Sequence, residues 1–204
     1  PSGTQAPAET QEPFGETAFS DMAGYEWAVE AVNALSERGI VSGSGGGYFE
    51  PGRDVTRAEF AAMLMRGFDM MDETAECDYT DVPEDSWYYS AVASASALGV
   101  VKGMGDGTFG AQLPISRQDM AVMIVRMLEA AGRDVPKVRD GSGFADSGDI
   151  AGYAADAVMR LYEAGIIDGV GDDLFDPNGT ANRAAAAKVL YGALLPDQMS
   201  ESEE

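Results

Sequence analysis

Histidine is absent from the 204 residues, cysteine occurs once, and 13 basic residues face 35 acidic ones, giving a formal net charge of -22. Each shortage removes a class of function. Without histidine there is no Ser-His-Asp or Cys-His triad, no HExxH zinc site and no Cys/His zinc finger, so a catalyst would be left with carboxylate chemistry. Cys77 lies in an acidic, polar stretch with no partner for a disulfide or a metal cluster; it reads as an incidental free thiol and leaves the redox compartment open. The acidic excess repels DNA, RNA and anionic head groups beyond a Debye length, which argues against nucleic acid. Binding of an anion would need a local set of cations and backbone N–H groups. No apolar run approaches the ~20 residues of a membrane span, so membrane insertion is not expected. Residues 1–17 do not have the make-up of a secretory signal, and any export signal is expected outside the given sequence.

What the sequence does contain is a 45% hydrophobic content, enough to bury a core, and an internal repeat. The first copy runs from Phe19-Ser-Asp21 through Trp27, Gly39-Ile-Val41, Gly43-x-Gly45, Phe49-x-Pro51 and Thr56-Arg57-Ala58-Glu59. The second reads Tyr79-Thr-Asp81, Trp87, Gly99-Val-Val101, Gly103-x-Gly105, Phe109 and Ser116-Arg117-Gln118-Asp119. The third reads Phe144-Ala-Asp146, Tyr153, Gly165-Ile-Ile167, Gly169-x-Gly171, Phe175-x-Pro177 and Asn182-Arg183-Ala184-Ala185.

Each copy predicts two helices. In the first, Ala28, Ala31, Val32 and Leu35 share a face, matched by Tyr88, Ala91, Val92 and Ala95 and by Ala154, Ala157, Val158 and Leu161. Gly39, Gly99 and Gly165 supply the left-handed residue that ends it in a Schellman-type turn. Thr56, Ser116 and Asn182 are N-caps of the second helix, Glu59 completes a capping box, and Asp119 approximates one. An apolar stripe follows: Phe60, Met63, Leu64, Gly67 and Phe68; then Met120, Met123, Ile124, Met127 and Leu128; then Ala186, Val189, Leu190, Ala193 and Leu194. Its methionines read as core filler. Between the helices lies a Gly-rich loop pinned by Phe49, Phe109 or Phe175. The expected fold is all-α, with three helix-loop-helix repeats closing into one domain over 19–194 (repeats about 19–71, 79–130 and 144–194). Residues 1–18 read as a flexible tail or linker and 195–204 as an acidic tail.

The informative residue is the arginine after each N-cap, Arg57, Arg117 or Arg183. A cation there faces the positive end of the helix dipole at a cost of about 0.3–1 kcal/mol, yet three copies share it. A guanidinium beside free helix N–H groups is a seat for a carboxylate or phosphate. The alternative is an internal ion pair with Asp21, Asp81 or Asp146. Trp27 and Trp87 are either core plugs, the commoner fate, or apolar walls for a sugar ring. The GxGxG runs lack a preceding strand and a following Lys-Ser/Thr, and the Gly105-Asp106-Gly107 and Asp172-Asp173 segments lack the calcium-loop ladder. No metal and no cofactor are expected.

Taken together, F-x-D, W, G-[IV]-[IV], G-x-G, F-x-P and T-R-A-E resemble the S-layer homology (SLH) repeat, over about 175 of the 204 residues. The resemblance implies a pseudo-threefold spindle around a central helical bundle, with grooves between repeats. It implies no enzymatic activity. It implies non-covalent anchoring of a secreted bacterial surface protein to the cell wall through secondary cell-wall polysaccharide, usually one ending in a pyruvate-ketal sugar. The glycan contacts it implies are Arg57, Arg117 and Arg183, Asp21, Asp81 and Asp146, and Trp27, Trp87 and Tyr153. Beside them it places the tetrad acids Glu59 and Asp119 and the loop glycines Gly43, Gly45, Gly103, Gly105, Gly169 and Gly171. Because Asn182-Arg183-Ala184-Ala185 has lost the acid, the grooves of Arg57 and Arg117 are the better candidates. Replacing either arginine by alanine is expected to weaken wall binding while leaving melting nearly unchanged. A protein–protein or lattice-forming module, or a binder of modified peptidoglycan, is the alternative.

Overall fold

The computed structural model describes residues 17–141 and 143–194; the expected tails fall almost wholly outside them. Six α-helices carry these residues, two per repeat: α1 Val29–Glu37, α2 Arg57–Gly67, α3 Tyr89–Ala97, α4 Arg117–Ala130, α5 Ala155–Glu163 and α6 Arg183–Leu194. Among the described residues no strand forms, and pairing is limited to isolated bridges, so the fold is all-α.

The helix ends follow from the residues that mark them. Gly39 adopts φ +67°, so the Ile40 N–H reaches the Leu35 carbonyl at 2.9 Å and the Gly39 N–H reaches Ser36 at 2.9 Å. The same bond pair recurs at Val100–Ala95 with Gly99–Ser96, and at Ile166–Leu161 with Gly165–Tyr162. These are Schellman closures, and the apolar residues after each glycine fold back into the core. At the second helices, Thr56 accepts from the Glu59 N–H and Glu59 returns a carboxylate oxygen to the Thr56 N–H at 2.9 Å, a full capping box. Ser116 and Asn182 cap through one side-chain oxygen each, at 3.2 and 2.9 Å. Asp119 does not return the bond, because its carboxylate is engaged elsewhere.

Packing departs from the expectation of a single apolar stripe. The helices α2, α4 and α6 contact one another pairwise, while α3 lies on α2, α5 on α4, and α1 on α6. Each inner helix is therefore covered from several sides, and in α2 every residue from Phe60 to Met65 is buried. Small side chains such as Ala61, Ala62, Ala121, Ala186 and Ala187 permit that close approach, and Met65, Met120 and Met127 fill what remains. The first helix of each repeat thus covers the second helix of the preceding one, and the chain closes when α1 covers α6.

A head-to-tail triangle of backbone hydrogen bonds completes the closure. Val55 donates to Ala181 at 2.9 Å, Ala181 to Ile115 at 3.0 Å, and Ile115 to Val55 at 2.9 Å. These residues sit just before the three arginine-bearing helices, and all are buried. The first two helical amides are then spent on the neighbouring repeat. Arg57 donates to the Leu113 carbonyl and Ala58 to Ala111; Arg117 and Gln118 donate to Gly179 and Pro177; Arg183 and Ala184 donate to Arg53 and Pro51. With the third amide taken by the cap, the exposed N–H groups expected to receive an anion do not exist. An unpaired amide costs too much to bury, and the ring closure and the caps together satisfy these three in each helix.

Candidate functional site

Each arginine reaches out of its own repeat onto the loop of the next. Arg57 Nε donates to the Phe109 carbonyl at 3.0 Å and Nη2 to the Lys102 carbonyl at 3.2 Å, with the guanidinium 4.9 Å from the Phe109 ring centre. Arg117 makes the same pair to Phe175 (2.7 Å) and Asp168 (3.0 Å), and Arg183 to Phe49 (2.8 Å) and Ser42 (2.7 Å). The unfavourable position in the helix dipole is offset by two backbone hydrogen bonds and a cation–π contact, a fork geometry that lysine would not reproduce.

The alternative ion pairs with the opening aspartates are not made. Asp21 accepts from the Phe49 and Glu50 amides at 2.8 and 2.7 Å. Asp81 accepts from Phe109, Gly110 and Ala111 at 2.6, 2.8 and 2.8 Å, and Asp146 from Phe175 and Asp176 at 2.8 and 2.7 Å. The loop backbone at the phenylalanine is thus gripped by an aspartate of its own repeat and an arginine of the previous one. Desolvation pushes these carboxyls up, but the backbone N–H groups outweigh it and hold all three below the usual aspartate range. Burial lowers the pKa of the Arg117 and Arg183 guanidinium groups, countered at Arg117 by Asp176, Asp146 and Asp168.

The first loop glycine is required by crowding. A Cβ on Gly103 would stand 2.7 Å from the Thr108 carbonyl oxygen and 2.7 Å from a Tyr79 ring carbon, and Gly43 and Gly169 are crowded by the carbonyls of Tyr48 and Leu174 at 2.6 Å. The second glycines, Gly45, Gly105 and Gly171, turn the loop at positive φ. Gly169 also lines the groove that holds Arg117.

The aromatic residues are not core plugs. Trp27, Trp87 and Tyr153 are 46%, 62% and 60% exposed, because Ala28, Tyr88 and Ala154 beside them take the buried position. Trp27 and Tyr153 stand over the second helix of the preceding repeat, so a groove draws on three repeats. One contains Arg57, Asp119 and Tyr153, and one Arg117, Ala185 and Trp27; the equivalence of the repeats assigns Arg183, Glu59 and Trp87 to the third. The arginine and the acid of a single tetrad therefore sit in different grooves. The acid missing at Ala185 is missing beside Arg117 and not beside Arg183, which the linear reading had the other way round.

The three grooves differ in what fills them. Arg57 is 8% exposed, and its Nη1 donates to Asp119 at 3.1 Å. The Tyr153 hydroxyl donates to the other Asp119 oxygen at 2.8 Å. Burial and that carboxylate push the Tyr153 phenol up to about 12. In the Arg183 groove, Glu59 turns away to its capping box and to Arg53 Nη2 at 2.7 Å. In the Arg117 groove Nη1 has no partner among the described residues. This groove encloses about 450 Å³ between Trp27, Arg117, Asp168, Gly169, Val170 and Lys188. Lys188 Nζ lies 5.6 Å from the Trp27 ring centre and 3.8 Å from Asp168. Lys188 was not singled out in the sequence. It stands where the other copies have Ala62 and Val122, so its signal in the sequence is a departure from the repeat. Cys77 is half-buried and free, and among the described residues no cluster of His, Cys, Asp and Glu suits a metal.

A closed ring of three helix-loop-helix units with an arginine and an aromatic at each junction is a tandem-repeat helical module. The chain belongs to the S-layer homology domain family, whose model matches residues 18–61, 78–121 and 143–187. It is 31% identical over 192 residues to an amylopullulanase of Thermoanaerobacterium thermosulfurigenes, covering 89% of this chain and 10% of that protein. It is 31% identical over 168 residues to exoglucanase XynX of Acetivibrio thermocellus, covering 82% of this chain and 15% of that protein. It is also 31% identical over 175 residues to the S-layer protein sap of Bacillus anthracis, covering 84% and 20%. The chain thus spans a tenth to a fifth of the length of these relatives.

Proposed function

We propose that this chain is a non-catalytic anchor that holds a bacterial surface protein to the cell wall by binding an acidic wall glycan, through its pyruvylated terminal sugar, in the groove at Arg117. The relatives support the anchoring role: glycoside-degrading enzymes and an S-layer protein have different activities by name but share a segment of this kind. The observation that carries the site is the free Nη1 of Arg117 in an open groove beside Lys188 and Trp27. A carboxylate there meets Arg117 and, in competition with Asp168 at 3.8 Å, Lys188, and Trp27 offers a flat apolar face to the sugar ring. Donation of hydrogen bonds to the ligand carboxylate rests on the guanidinium and the ammonium, since the helix amides are already used. In a chain of net charge -22, this local pair supplies what the global field opposes.

The test is co-sedimentation with purified walls, together with calorimetric titration of a disaccharide bearing a pyruvate ketal. Arg117→Ala should weaken binding roughly tenfold to a hundredfold, the worth of one charge-assisted hydrogen bond. Lys188→Ala, at a half-exposed position, should weaken it less and leave melting unchanged. Walls stripped of their acidic polymer should no longer sediment the protein; sedimentation that persists would favour a peptidoglycan or protein partner.

A further inference from the structure

The Arg57 groove already contains a carboxylate. Asp119 reaches Arg57 Nη1 at 3.1 Å, the nitrogen whose counterpart in Arg117 is unpartnered, and Tyr153 holds the second carboxylate oxygen at 2.8 Å. All three nitrogens of Arg57 are thereby engaged, two by loop carbonyls and one by Asp119. In the Arg117 groove the position of Asp119 is taken by Ala185, and that of Tyr153 by Trp27, whose ring carries no hydroxyl to steer an acid. In the Arg183 groove the acid is Glu59, one methylene longer and drawn off to Arg53 and the Thr56 amide. Of the two acids at the three equivalent helical positions, only Asp119 turns onto the arginine, and it does so where a tyrosine hydroxyl fixes it.

We propose that Asp119 is an internal stand-in for the ligand carboxylate, held in place by Tyr153, and that it keeps the Arg57 groove shut as a latent second site for an acidic sugar. This rests on the reading of Arg117 as a carboxylate receptor and adds that the same guanidinium geometry recurs at Arg57, open in the one groove and self-occupied in the other. The scaffold supports the equivalence: both arginines grip a phenylalanine carbonyl and a second loop carbonyl, and both stand 4.9 Å from a phenylalanine ring centre. A pendant carboxylate of the chain, tethered beside Arg57, outcompetes a dissolved one through effective concentration alone.

Calorimetric titration with the pyruvate-ketal disaccharide separates the possibilities through reciprocal substitutions. Asp119→Ala copies the open groove and should bind one more equivalent than the wild type; adding Tyr153→Phe should not lower that number. Ala185→Asp copies the closed groove and should reduce affinity at Arg117 at least tenfold, without needing any change at Arg57. Circular dichroism melting certifies that each variant is folded, and Asp119→Asn replaces the alanine form if that one unfolds. A folded Asp119 variant with unchanged stoichiometry, in a protein whose wild type binds, overturns the stand-in while leaving the open groove intact. A wild type that takes up no disaccharide overturns the reading of the open groove; the stand-in then survives only if the Asp119 variant binds.

Discussion

The ring of contacts around Val55, Ile115 and Ala181 and the rims of the grooves are made from the same three repeats, yet they have diverged to different degrees. At the ring, each copy makes the same backbone donations at 2.9–3.0 Å, although the side chains are valine, isoleucine and alanine. At the rims, each groove has an arginine on a loop carbonyl, but the facing residues are Asp119 with Tyr153, Ala185 with Trp27 and Lys188, or Glu59 with Trp87. A closed ring of three cannot tolerate a change in one copy without misfitting both neighbours. A groove can, because its far wall is water. Repetition therefore carries the architecture, and departures from repetition carry the differences in binding.

Removing an arginine probes that contrast most severely. Arg57→Ala removes a nearly buried guanidinium, leaves the Phe109 and Lys102 carbonyls short of a donor and strands Asp119. The expected loss is about 3 kcal/mol, as for breaking a partly buried ion pair, or roughly 6–12 °C in melting temperature. The sequence alone leads to the opposite expectation, little effect on melting, and a thermal melt of the variant decides between the two. Arg117→Ala, with two hydrogen bonds and no carboxylate partner, should cost clearly less. Equal losses in thermal melts of the two variants would erase the distinction between a closing arginine and a receiving one.

The aspartates sharpen the same contrast at the next magnitude. Their folded-state pKa values lie below the usual range, so the stability they contribute is complete above about pH 4–5 and is lost as pH falls through the folded values. Asp81 accepts three amides where Asp21 and Asp146 accept two each. Asp81→Asn should cost about 2 kcal/mol at neutral pH, as for hydrogen bonds to a charged acceptor, and should shrink the fall in melting temperature below pH 4. An acid limb as steep as that of the wild type would show that Asp81 is not where the protons bind.

Much of this was legible because it is local. Gly39, Gly99 and Gly165 end helices at the stated residues, Thr56 and Glu59 form the box their spacing implies, and Phe49, Phe109 and Phe175 are pinned in the core. What the sequence did not reveal is relational. The Thr56-Arg57-Ala58-Glu59 tetrad reads as one unit along the chain, but a helix turns 100° per residue, so its arginine and acid face different neighbours. Which loop Arg57 meets depends on the cyclic order of repeats, which no spacing encodes. Trp27 and Trp87 were weighed by the burial habit of tryptophan, whereas Ala28 and Tyr88 next to them take the inward position. The helix amides looked free because their acceptors, Leu113, Ala111 and their counterparts, lie in another repeat.

The smallest expected effect concerns the two tryptophans. Trp27 is 46% exposed and shares its groove with Arg117 and Lys188, whereas Trp87, which the repeat equivalence assigns to the Arg183 groove, is 62% exposed. Neither is a core residue, so Trp27→Ala and Trp87→Ala should each change stability by no more than about 1 kcal/mol. Their optical signals should differ. In a Trp87→Phe protein the indole of Trp27 is the sole tryptophan emitter, and a sugar covering its exposed face excludes water, which moves emission to shorter wavelength. In a Trp27→Phe protein, added disaccharide should shift Trp87 less, since no Lys188 counterpart draws the ligand to that groove: the equivalent residue there is Ala62. A larger shift from Trp87 than from Trp27 would assign the ligand to the Arg183 groove and make Lys188 a bystander.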